Sequence, residues 1–333
     1  RLPLRSELQQ KFKVSTATVQ GALNRLIQDG FVQAQGRLGT YVTPNPPHLC
    51  HYALVFPKPP SATQIRSRFW TALSNEAAVF AQQGARKFPL YYGIDEHVDN
   101  EVYQRLLADV RGQRVAGLVF AFVESDELEG NPLLDSAHGV PRVRVTSDAH
   151  HRDMPGVVLD MRSFIDRALD HLQSKRRKRV ALMMVSGTRQ EHLDYFNAGV
   201  EKRRMTTKPY WVQSVGWPET HWANNVVRLL THDDQKTRPD ALIVFDDNIV
   251  EPVTAGLVAE GVRVPDDVEV VAHSNFPWSP ARVVPVRYLG FDARRVLQAA
   301  VDNIDRQRRG DRVPPVTMLN SVFEDELNGA ARG

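Results

Sequence analysis

The chain has 333 residues, 42% of them apolar and 24% charged, with 42 Lys and Arg against 39 Asp and Glu. This is ordinary globular composition, too large for one small module and about the length of two domains. The single cysteine, Cys50, excludes an intrachain disulfide framework and suits a reducing compartment. No apolar run approaches the ~20 residues of a membrane span and no charged-then-apolar leader stands at the start, so a cytoplasmic location without a membrane partner is expected. The first residue is Arg1 rather than Met, and the sequence is expected to begin inside a longer polypeptide.

Charge is unevenly spread. Residues 1–48 carry Arg1, Arg5, Lys11, Lys13, Arg25 and Arg37 against only Glu7 and Asp29, while the remainder is close to neutral. A small basic module on a neutral body is the arrangement of a nucleic-acid binder with a second task. Helical spacing of Leu8 and Phe12 predicts a helix over 5–12. Ser15 then reads as the N-cap of a second helix over 16–28, with Val19, Ala22, Leu23, Leu26 and Ile27 on one stripe. Asp29-Gly30 ends it. Phe31-Val32 and Tyr41-Val42 read as short strands around the polar tip 33–39, which makes a winged helix-turn-helix. The prolines of Thr43-Pro44-Asn45-Pro46-Pro47 mark a boundary, giving a head over 1–43, a linker over 44–50 and a body over 51–333.

The residues Leu2-Pro3, Glu7-Leu8, Phe12, Val14-Ser15, Thr18-Val19, Ala22-Leu23, Leu26, Gly30 and Gly36-Arg37-x-Gly39-Thr40-Tyr41-Val42 resemble the winged-helix domain of the GntR family of bacterial transcription regulators. The resemblance implies a further helix upstream of Arg1 and operator DNA as partner, with Ser15, Thr16, Thr18, Gln20, Arg25, Gly36 and Arg37 at the DNA. The family usually has arginine at the positions of Thr16 and Gln20, so the operator is not transferable from relatives. Opposite the apolar stripe lie Ala17, Gly21, Asn24 and Gln28, small or amide side chains suited to the major groove. A tolerated glycine on a solvated face is an equal reading of Gly21. Arg37 at the wing tip suits the minor groove or a phosphate.

From residue 52 onward, apolar strands expected over 52–56, 88–93, 116–123, 140–145, 180–185, 241–245 and 268–272 alternate with amphipathic helices. Their apolar sets include Phe69/Leu73/Ala77/Phe80, Val102/Leu106/Val110, Phe164/Ala168/Leu172 and Val253/Leu257. This pattern predicts an α/β body of two doubly wound parallel-sheet lobes. Ligands of such sheets bind beyond the carboxyl ends of the strands. There the sequence concentrates polar groups: Asp95, Thr146-Ser147-Asp148, Asp246-Asp247-Asn248 and His273-Ser274-Asn275, with Phe69, Trp70 and Trp217 available for stacking. Bidentate groups and aromatic faces suit a polyhydroxylated ligand.

Val180-Ala181-Leu182, Ala198-Gly199 and above all the stretch 240–272 resemble the lactose-repressor type of sensor domain, itself similar to periplasmic sugar-binding proteins of type I. A GntR-type head on such a body is the architecture of the arabinose-responsive repressors. The resemblance implies a homodimer and a small effector, a sugar above all, bound between the lobes; a nucleobase or another metabolite is the alternative effector. It places Asp247 at the effector, puts Phe196 where the family has an effector-binding arginine, a contact that is then either missing or supplied by Arg189, and replaces the family's later aspartate at Ser274-Asn275. The full expected effector set is Phe69, Trp70, Asp95, Thr146, Ser147, Arg189, Phe196, Trp217, Asp247 and Asn275.

Structural readings stand beside these. Asp246 suits a helix cap better than a ligand contact, and Trp70 fits core or pocket wall equally. His150-His151 with Asp148 and Asp153 match no tetrahedral metal spacing, and a polar loop is the favoured reading. Lys175-Arg176-Arg177-Lys178-Arg179 reads as a solvated turn. No nucleotide-binding glycine fingerprint, serine elbow or catalytic cysteine-histidine arrangement occurs, so neither enzyme activity nor a cofactor is expected. A binding protein with a vestigial head, and an α/β enzyme using Asp247, are the other classes.

Overall fold

The computed structural model describes residues 1–58, 67–84, 86–94, 100–121, 133, 139–148, 154–216 and 219–330. At the N-terminus, α1 (Arg5–Phe12) and α2 (Thr16–Gln28) form a helix-turn-helix, followed by the antiparallel wing strands β1 (Val32–Ala34) and β2 (Thr40–Val42). Ser15 Oγ accepts the Thr18 amide at 3.1 Å and caps α2. Glu7 accepts the Leu4 amide at 2.7 Å, so half a capping box forms although Leu4 has no side-chain acceptor. Gly30 takes the left-handed conformation that ends α2 (φ +81°). Only Val19 and Leu23 of the expected stripe are buried, whereas Leu26 and Ile27 remain 37% and 39% exposed. Among the described residues α2 packs on α1 and β1, and neither covers that side.

The expected irregular linker contains a helical turn, α3 (Pro47–Cys50), because Pro47 occupies the first helical position, where no amide hydrogen is needed. It is fixed from both sides. Phe31 stacks on His48 with ring centroids 5.6 Å apart, and Arg308 donates to the Leu49 carbonyl at 3.2 Å.

The body holds two six-stranded sheets. In the first, β3 (Tyr52–Phe56), β4 (Leu90–Tyr92), β5 (Gly117–Ala121), β6 (Arg142–Thr146), β7 (Gly156–Asp160) and β13 (Val316–Asn320) lie parallel in the order β13-β7-β6-β5-β3-β4. In the second, β8 (Val180–Val185), β9 (Val212–Val215), β10 (Ala241–Val244), β11 (Glu269–Phe276), β12 (Arg287–Asp292) and β14 (Val322–Phe323) run β14-β12-β11-β10-β8-β9, with β14 alone antiparallel. Successive strand residues feed opposite faces, which is why the strands read as unbroken apolar runs. Leu54 and Phe56 pack under α4 (Arg68–Gln83) and α10 (Ala293–Arg309), while Ala53 and Val55 pack under α5 (Glu101–Arg111). In lobe 2, Leu242 and Val270 face α8 (Trp222–Thr231) and α9 (Val250–Ala259), and Ile243 and Val271 face α6 (Met161–Ser174) and α7 (Gln190–Lys202).

β11 extends four residues past the expected end at 272, so His273, Ser274 and Asn275 are strand residues rather than a loop. β12 accompanies it because Gly290 lies opposite Ser274, where a Cβ would fall 1.8 Å from the Ser274 carbonyl oxygen. The basic run also proves to be joinery. Arg177 donates to the Asp266 carbonyl at 3.1 Å and Arg179 to the Arg238 carbonyl at 2.6 Å.

The chain passes between the lobes after β7, after β12 and between β13 and β14. Asp160 caps α6 at the first crossing, accepting the Arg162 and Ser163 amides at 3.0 and 3.1 Å. Asp292 caps α10 at the second, accepting the Arg294 amide at 2.9 Å. At the third, the Ser321 amide donates to Ser163 Oγ at 2.9 Å, tying this crossing to the first. Short, capped crossings of this kind let lobes rotate about a few backbone positions while each core stays intact.

Candidate functional site

On the head, the outer face of α2 is exposed at Thr16, Ala17, Gly21, Asn24 and Gln28. The Gln20 amide donates to Asn24 Oδ1 at 2.7 Å, which orients both side chains and leaves the Gln20 oxygen and the Asn24 amino group for base edges. Ser15 and Thr18 are occupied in the cap, with their hydroxyls 2.9 Å apart, and the Thr16 hydroxyl accepts from Gln9 of α1. Arg25 is 61% exposed and paired with Asp29 at 2.9 Å. Arg37 projects from a tight turn, Gly36–Leu38, that needs the left-handed conformation at Gly36 (φ +53°). Of the expected DNA-facing residues, Ser15, Thr16 and Thr18 are engaged within the helix-turn-helix itself, while Arg25 and Arg37 are exposed.

In the body, the strand ends of the two sheets meet. Asp148, directly after β6 of lobe 1, pairs with Arg189, at the start of α7 in lobe 2, at 2.7 Å. Arg68 at the start of α4 donates to Glu251 at 2.5 Å, and its amide donates to Asn248 at 3.0 Å. The Trp278 indole of lobe 2 donates to Glu76 of α4 at 3.1 Å. Glu76 is 1% exposed and also meets Arg294 at 3.1 Å. Arg68, Thr71, Thr220, His221, Glu251 and Trp278, with Asn248 and Pro252, line an interlobe cavity of about 450 Å³.

Behind this mouth, Asp247 is 2% exposed and accepts the Asn275 amide at 2.7 Å. Burial, reinforced by the neighbouring Asp246 carboxylate, pushes its carboxyl up to about 8. Asp246 caps the turn that follows, accepting the Asn248 amide at 2.8 Å, as the capping reading expected. His273 Nδ1 lies 4.0 Å from Asp247, and burial lowers this imidazole to about 4. His192 of α7 is also lowered, first by burial, and its ring faces Phe245 with centroids 5.8 Å apart. Both imidazoles are neutral near pH 7, so this wall offers amide, imidazole and carboxyl groups beside aromatic carbon.

Of the expected effector residues, Asp247 and Asn275 are in direct contact, Thr146, Ser147 and Arg189 lie at or beside the Asp148–Arg189 pair, and Phe69 and Trp70 stand half-buried at the start of α4. Trp70 packs on Phe56 with centroids 5.5 Å apart and is wall and core at once. Phe196 must be withdrawn. Its ring is fully buried among Phe164, Leu169 and Val200, because that position of α7 faces the sheet. Asp95 and Trp217 lie outside the described residues, as do His150, His151 and Asp153. The sequence reading missed Arg68, Glu76, His192, Glu251, His273 as a wall residue, and Trp278. Among the described residues no cluster of His, Cys, Asp or Glu is arranged to hold a metal, and no helix is long and apolar enough to cross a membrane.

Residues 1–42 match the gntR family of bacterial regulatory proteins and residues 169–322 match the periplasmic binding protein-like domain. The arabinose metabolism transcriptional repressor of Geobacillus stearothermophilus is 20% identical over 97% of this chain and 92% of its own length. The HTH-type transcriptional repressor PurR of Aliivibrio fischeri is 24% identical over 43% of this chain, which spans only 42% of that protein. The crystal structure of a putative ribose operon repressor from Burkholderia thailandensis superposes with a TM-score of 0.60 at 19% identity, over 82% of this chain and 98% of its own. The architecture is thus a GntR-type head on a two-lobed body of the lactose-repressor type, and these curated relatives are repressors rather than enzymes.

Proposed function

We propose that this chain, with its GntR-type head and two-lobed sensor body, is a cytoplasmic transcriptional repressor. Its operator affinity is set by a small polyhydroxylated effector, a sugar or a sugar-like molecule, held between the lobes. Residues 1–43 form the DNA-binding head, 44–50 the linker and 51–333 the effector-binding and dimerising body. The observation that carries the reading is the polar junction between the lobes, where Asp148–Arg189, Glu76–Trp278 and Arg68–Glu251 bridge two domains joined by three crossings, two of them capped. A molecule bound there with different affinity for open and closed lobes shifts their populations, and so moves whatever is attached to them. The head is attached to lobe 1, since Asp29, which pairs with Arg25 of α2, also lies 3.5 Å from Arg114.

The active form is a homodimer that sets two heads on a pseudo-palindromic operator. Trp222 and Leu229 of α8 and Val258 of α9, each at least half exposed, offer an apolar face for it. Fluorescence anisotropy with a duplex from the region upstream of the protein's own coding sequence tests the regulator reading. Affinity falling steeply between ~50 and ~200 mM salt is expected of a protein neutralising several phosphates. Absence of salt-dependent affinity would return the head to a vestigial role.

A further inference from the structure

The carboxylates around the interlobe junction are not treated alike. Glu76 meets Arg294 at 3.1 Å, Asp148 meets Arg189 at 2.7 Å, Glu251 meets Arg68 at 2.5 Å, and Glu191 lies 3.8 Å from Arg189. Asp247, 2% exposed, is more deeply buried than Asp148, Glu191 or Glu251, and Asp246 beside it is partly buried, yet among the described residues neither has an arginine or lysine within ion-pair distance. Arg68 acts on both only from further away. Beside them, His273 Nδ1 and Asn275 Oδ1 are buried and without a hydrogen-bond partner, on residues 8% and 2% exposed. Such unpaired atoms are costly unless something fills the gap. The 4.0 Å between His273 Nδ1 and Asp247 Oδ1 is the span that one polar atom hydrogen-bonded to both would bridge.

We propose that the effector carries a protonated amine that docks among Asp247, Asn275 Oδ1 and His273 Nδ1 and supplies the positive charge this buried acidic pair lacks. The inference rests on the effector-controlled reading above and narrows its ligand to an amine-bearing polyol, such as an amino sugar. An ammonium group offers three donors and no acceptor. The site offers a carboxylate, an amide oxygen and, in the tautomer of His273 protonated at Nε2, the Nδ1 lone pair, so in that tautomer every group finds a partner. A hydroxyl in the same place donates only once and brings no charge.

A proton balance follows. In the empty protein Asp247 is held in its acid form up to about pH 8. Docking R–NH₃⁺ leaves –COO⁻ paired with R–NH₃⁺ and one proton released to solvent. The groups acting on Asp247 are Asp246 on its own turn, His273 and Asn275 on β11 and Arg68 on α4, with Asp148–Arg189 and His192 of α7 elsewhere along the junction. His273, lowered to about 4, stays neutral over this range, and burial biases His192 the same way. Amine affinity therefore rises about tenfold per pH unit from pH 6 upward for as long as the amine keeps its own proton, and levels off where the amine or Asp247 titrates.

The test is a set of matched pairs titrated into the full-length chain by thermal shift and calorimetry: glucosamine with glucose, galactosamine with galactose, and ethanolamine with ethylene glycol. The expected result is at least one amine binding tenfold or more tightly than its hydroxyl counterpart, with the pH slope above and loss of the preference in Asp247→Asn. The pH slope is read on the unaltered protein, so the test does not depend on the variant folding. Hydroxyl members binding as tightly as amines, no response to any amine, or an amine affinity independent of pH would each overturn the inference. A response to hydroxyl members alone removes the amine and leaves the sensor reading standing. Silence across all pairs removes the amine, while DNA affinity judges the regulator reading separately.

Discussion

Breaking the Asp148–Arg189 pair should loosen the contact between the lobes. The Asp148 side chain is 6% exposed and that of Arg189 38%, with the charged atoms 2.7 Å apart. For charge centres ~4 Å apart the attraction is ~4 kcal/mol at an effective dielectric of ~20 and ~1 kcal/mol in water. Because the guanidinium is more than a third exposed, screening pulls the value toward the lower figure, while the buried carboxylate keeps it above a surface pair. A coupling of about 1–2 kcal/mol results, enough to change the ratio of closed to open lobes by roughly tenfold. The assay is a double-mutant cycle, Arg189→Met and Asp148→Asn singly and together, read from urea unfolding, with small-angle scattering to follow the separation of the lobes. Losses that simply add, with a coupling below ~0.3 kcal/mol, would show that the pair does not hold the lobes together.

Gly290→Ala places a Cβ against the Ser274 carbonyl and should cost at least ~2 kcal/mol, seen as a lowered melting temperature; a neutral substitution would contradict the β11–β12 packing. Stability should depend on pH through two opposed groups. Asp247 titrates at about 8 when folded against 3.8 unfolded, so the folded state holds an extra proton between those values and stability falls as pH rises. His273 titrates at about 4 when folded against 6.5 unfolded, so its contribution rises with pH over that window. The two cancel below about pH 6.5. From there to about 8 the fall, up to ~1.4 kcal/mol per pH unit for one group, belongs to Asp247, with Asp246 also raised by burial. Asp247→Asn should halve or abolish this fall in urea midpoints taken from pH 6 to 9, and an unchanged slope would refute the assignment. Arg37→Ala should reduce the slope of log affinity for DNA against log salt by about one, and an unaltered slope would place Arg37 away from phosphate.

Much of this was legible in the sequence for identifiable reasons. Ser15 and Gly30 bracket α2 because capping and left-handed termination are local chemistry. The buried parallel strands declare themselves as apolar runs, Tyr52–Phe56 and Val180–Val185 among them. Five strands were not expected: β9 (Val-Gln-Ser-Val), β13 (Val-Thr-Met-Leu-Asn) and β14 are short or half-polar edge strands, but β7 (Gly156–Asp160) and β12 (Arg287–Asp292) are buried interior strands whose short apolar runs, Val157-Val158-Leu159 and Tyr288-Leu289, went unread, while the edge strand β4 was expected. β11 was cut short because His273, Ser274 and Asn275 are polar, and only pairing with β12 explains their burial. Phe196 was misplaced because alignment by family position says nothing about which side of α7 meets the sheet. The cross-lobe partners, Arg68 with Glu251 and Glu76 with Trp278, lie 183 and 202 residues apart, and no local pattern encodes such contacts.

The central claim is that one small molecule between the lobes and DNA at the head sense each other. The most direct test measures the dissociation constant of the full-length chain for its operator duplex while an effector found by binding screen is titrated, in the unaltered protein and in Asp247→Ala. The account predicts a change of about 5- to 150-fold in DNA affinity, an equal reciprocal change in effector affinity on adding DNA, and loss of both in the variant with its effector-free DNA affinity intact. DNA affinity indifferent to a saturating effector, or a response retained in full by Asp247→Ala, would contradict it.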